Sequence, residues 1–137
     1  MESMTMPLQY SVAVRNARLD AVESTIGVSP TLEIRTGAPP ANAAAADSGT
    51  LLATINLPSD WMAAAASGSK ALLGTWQANA SAAGTAGHFR IKQGATCHAQ
   101  GTITATGGGG DMTLDNTNIA SGQQITVNSF TLTSGNA

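Results

Sequence analysis

The segment Thr31-Leu32-Glu33-Ile34-Arg35-Thr36 decides how the rest of the chain is read. Leu32 and Ile34 alternate with Glu33 and Arg35, so an extended backbone puts apolar side chains on one face and charged ones on the other. That pattern predicts a half-buried strand. Just upstream the period is helical. Over residues 10–26, Leu19, Val22 and Ile26 recur every three or four positions among Arg15, Arg18, Asp20 and Glu23. Gly27 follows, where a glycine C-cap is expected. A charged amphipathic helix in this place is either a docking arm or a cover closing one end of a β domain.

Downstream of Thr36 the alternation returns repeatedly. In residues 51–57, Leu51, Ala53, Ile55 and Leu57 fall on one face. Further strands are expected over 71–73, 75–80, 87–92, 96–105, 111–114 and 123–133, with Phe89 and Ile91 inward against His88, Arg90 and Lys92. In the last of them Ile125 and Val127 alternate, then the spacing slips by one before Phe130 and Leu132, which predicts a bulge near Asn128 and Ser129. Residues 37–49, with Pro39, Pro40, Asn42, Asp47 and Ser48, read as an exposed loop. Gly107 to Gly110 reads as a flexible tip, and Asn116 and Asn118 suit a turn. The alanine run at 63–66 is compatible with a short helix or a loop. The expected fold is all-β: an N-terminal arm with a helix over residues 1–28 and a single β-sandwich or jelly roll over 29–137.

Composition narrows the function classes. The 137 residues are one domain's worth of chain. Only 10% are charged, against about 25% in an average soluble domain, and the net charge is −2. Six basic residues spread along the chain cannot build a phosphate-contacting surface, so no nucleic-acid partner is expected. No apolar run approaches a membrane span, and the first ten residues lack the pattern of a secretory signal, so neither a membrane nor export is expected. Met4 and Met6 follow Met1 closely and are alternative starts. With 4% aromatics the core is expected to be thin, and charge-poor surfaces of small polar residues suit protein–protein contact.

Chemistry-bearing motifs are sparse. Cys97 is the single cysteine, and with His88 and His98 it gives three possible metal ligands. They lack paired ligand spacing, and neighbours on a strand point to opposite faces. Neither a nucleophile elbow nor a paired acid/base couple of carboxylates is present, and no lysine follows the glycine run as a phosphate-binding loop requires. Asp111, Asp115, Asn116 and Asn118 are oxygen donors better explained by a solvated turn than by calcium. No catalytic residue, metal or cofactor is therefore expected, and the chain reads as non-enzymatic. Trp76, preceded by Leu72, Leu73 and Gly74, is expected in the core. Trp61, at a chain reversal after Ser59 and Asp60, is a candidate interface residue, as are Arg15, Arg18, Leu19 and Val22 on the helix.

The stretches Leu57-Pro58-Ser59-Asp60-Trp61, Gly74-Thr75-Trp76-Gln77 and Leu114 to Gln123 (LDNTNIASGQ) resemble small virion structural proteins of tailed bacteriophages. The resemblance covers most of the chain after about residue 12 and carries no catalytic signature. It implies a head decoration or cement protein on the capsid surface, assembled in the host cytoplasm. Its partners would be the major capsid protein and copies of itself, commonly as a homotrimer. A neck, collar or tail role (fibre or receptor-binding) is the alternative, with a carbohydrate-binding module or hydrolase as a more distant one.

Overall fold

The computed structural model describes residues 8–134; the alternative starts Met1, Met4 and Met6 lie outside them. One helix, α1 (Val12–Ile26), precedes nine strands: β1 (Thr31–Thr36), β2 (Leu51–Asn56), β3 (Ser69–Ala71), β4 (Gln77–Asn79), β5 (Gly84–Gln93), β6 (Thr96–Ala105), β7 (Met112–Leu114), β8 (Asn118–Ile119) and β9 (Gln124–Thr133). The helix begins where Ser11 accepts a hydrogen bond from Val14 N at 3.2 Å. It ends as expected at Gly27, whose φ of 96° suits glycine and whose N–H donates to Glu23 O. Leu19 and Ile26 are its buried residues.

The strands form one curled, mixed sheet in the order β2-β1-β5-β6-β7-β9-β3, with β4 also pairing β9 and β8 pairing β5. The sheet curls far enough for Ser81 N, just beyond β4, to donate to Leu52 O of β2 at 2.8 Å. All ladders are antiparallel except β6 with β7. The bulge expected near Asn128 is present: Thr113 pairs with Ser129 and Leu114 with Val127, leaving Asn128 extra. A second bulge changes a different expectation. Ile34 pairs with Ala53 and Arg35 with Leu51, so Leu52 is the additional residue. Leu52 and Ala53 are consequently both buried, while Leu51 is only half-buried.

Two loops differ from expectation. The alanine run at 63–66 is not helical. Ala63 N bonds Ala71 O, and Ala66 exchanges bonds with Ser69 across a tight turn. The glycine run is an exposed turn, with open space around Gly107 and Gly109, but it is not wholly detached. It is the short return that brings β7 parallel to β6, and it folds back over Thr104. Gly110 N donates to Thr104 Oγ1 at 3.0 Å, and a Cβ at Gly110 would lie 2.9 Å from the Thr104 N. Glycine is required because backbone meets backbone there.

The core is larger than the composition suggests. Trp61, Trp76, Phe130 and Phe89 form a chain of ring contacts at centroid distances of 6.0, 5.7 and 5.3 Å. Trp76 is core, as expected. Trp61 is core as well, only 1% exposed, in place of the interface position its chain reversal suggested. Its indole is satisfied inside, with Nε1 donating to Gly27 O at 3.0 Å. Ile26 belongs to the same apolar cluster and Val22 packs against it, so the helix shares the core of the sheet.

Candidate functional site

Two clusters gather most of the charge. The first lies under α1. Lys70 of β3 is 2% exposed, and its ammonium pairs with Asp20 at 2.7 Å and Glu23 at 2.8 Å, also donating to Ala63 O. Helical spacing puts the two carboxylates on one side of α1, where they reach the same ammonium. Burial opposes the lysine's charge, but the hydrogen bonds to Asp20 and Glu23 outweigh it and hold its pKa above the usual lysine value. The Lys70 hydrogen bond, with help from Ala65 N, holds Asp20 below the usual carboxylate range. Asn16 accepts from Gly68 N and Arg15 donates to Ser134 O, which completes the seam. Beside it, Asp60, Ser59, Asp20, Glu23 and Lys70 line a cleft of about 390 Å³.

The second cluster sits on the face of β5 that alternation assigned to solvent. His88 and Arg90 are buried and Lys92 nearly so, because the loop of residues 37–49 roofs them. Arg90 donates to Asp47 and to the carbonyls of Ala43 and Ala45 at 2.8 and 3.0 Å. Lys92 reaches Asp47 at 2.7 Å and Glu33 at 3.1 Å, and Arg35 bonds Glu33 and Asp47. The Lys92 hydrogen bond, and then that of Arg90, keep the Asp47 carboxyl below its usual range against the opposing effect of burial. In Lys92 desolvation is again outweighed, by bonds to Asp47 and Glu33 that raise its pKa. His88 Nδ1 meets Gly37 O at 2.9 Å and Gln100 Nε2 donates to Pro40 O at 2.7 Å, pinning the start of the loop. Asp47 was read as an ordinary loop residue. Its signal was the row of three basic or titratable residues on one strand face, which needs a counter-charge from elsewhere once anything covers it.

Among the interface candidates, Leu19 is buried under the helix and Arg15 is half-buried against Ser134. Arg18 stacks 5.3 Å above the Tyr10 ring and, with Val22, Thr25 and His98, lines a groove of about 350 Å³. Sequence reasoning missed a more exposed apolar run at the helix start: Leu8 (64% exposed), Tyr10, Val12 and Val14. His88 lies under the roof while His98 is exposed, and Cys97 Sγ contacts Ala99 O. Among the described residues no group of three histidine, cysteine or acidic side chains is placed to hold a metal ion. Asp111 caps Thr102 through its N–H and hydroxyl, and Asn116 accepts from Asn118 N in the expected turn. Comparison with family models, curated proteins and solved structures gives no match to this chain.

Proposed function

We propose that this chain is a non-enzymatic structural subunit of the virion type, most simply a capsid decoration or cement protein that binds between capsomers. One observation carries the reading. Each of the six lysine and arginine side chains has a partner within the chain: Arg35, Lys70, Arg90 and Lys92 in ion pairs, Arg15 on Ser134 O and Arg18 on Tyr10. Ionic groups are spent on fastening the helix and the roof loop, which leaves small neutral residues as contact material. The exposed run Leu8, Tyr10, Val12 and Val14, beside the groove of Arg18 and Val22, supplies the apolar anchor for a major capsid protein or a neighbouring copy. On this reading the curled sheet, closed over its buried chain of aromatic rings, is the sandwich-like scaffold of that class. Many weak contacts repeated over a shell add to large stabilisation.

Both tryptophans are buried, so neither offers a stacking face to a sugar, which favours the structural reading over a carbohydrate-binding one. The test is copy number and particle strength. Hundreds of copies per particle on the head, with heat resistance lost in particles assembled without the chain, is the expected result. A few to tens of copies would move the proposal to the neck or tail. Intact, equally resistant particles with no copies bound would overturn it.

A further inference from the structure

His88 of β5 is fully buried beneath the start of the roof loop, and its ring makes a single hydrogen bond. Nδ1 lies 2.9 Å from Gly37 O; a carbonyl can only accept, so Nδ1 carries the proton of the neutral ring. Nε2 is shut off from solvent and has no hydrogen-bond partner. We propose that His88 is a proton-operated latch on the roof loop: the neutral ring holds residues 37–49 down on β5, and a second proton, taken up in mild acid, releases them.

A proton on Nε2 would create a buried cation and a buried donor with no acceptor, which costs more than the unpaired lone pair of the neutral ring. The neighbours add to that cost. On β1, Arg35 is the cross-strand partner of His88, and on β5 Arg90 follows on the same face with Lys92 beyond it. The acids of this face are Glu33 of β1 and Asp47 of the loop, and their bonds go to Arg35, Arg90 and Lys92. On β6, Thr102 stands opposite His88 with its hydroxyl donating to Asp111, and Cys97 lies at the far end beside Lys92. His98 lines the α1 groove instead. None of these groups bonds the ring. The seat is also tight: a Cβ at Gly87 would lie 2.3 Å from Gly37 O, so the loop backbone rests directly on the strand. A protonated ring therefore needs water, and water reaches it only when the loop lifts.

An imidazole in water takes up its second proton near pH 6.5. The latch is closed above that value, and each pH unit below it favours the lifted loop about tenfold. Asp47 stays ionised in this range, because the hydrogen bonds from Lys92 and Arg90 hold its carboxyl below the usual values, so the ring acts first as pH falls. In the isolated full-length chain, opening is read by exchange of the buried Arg90 Nε–H and of the Ala45 amide, which bonds Asn42 O inside the loop. Corrected for intrinsic rates, both should rise about 25-fold from pH 7 to pH 5, with β9 amides unchanged. His88→Gln keeps a donor for Gly37 O and takes up no proton, so its rates should stay flat over the same range. Imidazole ¹⁵N spectra of the wild-type chain give a readout that does not depend on the variant folding. The His88 ring should carry its proton on Nδ1 at pH 7.5, and its shifts should change together with the exchange. Flat exchange in the wild type, an equal rise in His88→Gln, or a ring protonated on Nε2 at pH 7.5 would each overturn the latch.

Discussion

Lys70 is nearly inaccessible, yet its two carboxylate partners stay partly in water, with the Asp20 side chain 49% exposed and that of Glu23 21%. The pair is therefore asymmetric. Lys70→Met leaves two carboxylates that can rehydrate and keeps most of the packing, so it should cost only about 1 kcal/mol in urea unfolding. Asp20→Asn combined with Glu23→Gln strands a buried ammonium and should cost about 3 kcal/mol. Equal losses in the two experiments would contradict the burial. A second residue-scale prediction concerns Gly101, where a Cβ would lie 2.8 Å from the Phe89 ring and from Asp111 Oδ2. Gly101→Ala should destabilise by about 2 kcal/mol, because the ring at the centre of the core cannot move aside without repacking Phe130. At this scale the inward residues of single strands, such as Leu32, Ile34, Phe89 and Met112, were legible from alternation. Trp61 was not: proximity to a turn says nothing about whether a large ring swings inward, and the indole's partner is a carbonyl 34 residues away.

The helix and the roof loop show what could be read at the scale of elements. The C-terminal end of α1 was legible because a glycine cap is local chemistry, whereas its start, expected at residue 10, lies at Val12 behind the Ser11 cap; the Asn128 bulge was legible too, since an extra residue shifts the alternation of a single strand. The bulge at Leu52 was hidden because leucine and alanine fill both phases of residues 51–53. The roof loop was legible only as irregular chain, since its hold on β5 depends on side chains more than 40 residues distant. That hold has a pH signature. Asp47 has its pKa depressed in the fold, so its contribution is complete above the ordinary carboxylate value of 3.8 and is lost as pH falls through the depressed one. Amide exchange over residues 37–50 should therefore accelerate selectively as pH drops below about 4, after correction for intrinsic rates. Asp47→Asn should bring the same opening to neutral pH and cost about 3 kcal/mol, since Arg90 is left buried beside a neutral amide. Lys70 and Lys92 behave oppositely. Their raised values place a second loss of stability above the ordinary lysine value of 10.5, as pH climbs through the folded pKa.

At the scale of the whole molecule the question is whether the N-terminal segment is a detachable arm or part of the fold. The helix buries Leu19 and Ile26 and packs half-buried Val22 against the core, and full burial of two such side chains is worth about 4 kcal/mol. Set against the roughly 5–15 kcal/mol of a typical domain, that is a large share. Removing residues 1–27 would also take away the carbonyl that receives Trp61 Nε1, both carboxylates on Lys70, and the acceptors of Ala65 N and Gly68 N. The remaining sheet should then lack a cooperative thermal transition and lose the near-ultraviolet circular dichroism of its packed tryptophans. Replacing Leu8, Val12 and Val14 by serine or threonine, with Tyr10 kept as the partner of Arg18, tests the other possibility. These three side chains are 64%, 46% and 42% exposed, so the melting temperature should stay within a few degrees, while the self-association or shell binding that the proposed function requires should be lost. A molecule that tolerates the first change and fails to fold after the second would have its helix acting as an arm, and its core placed differently from the packing of α1 over β3.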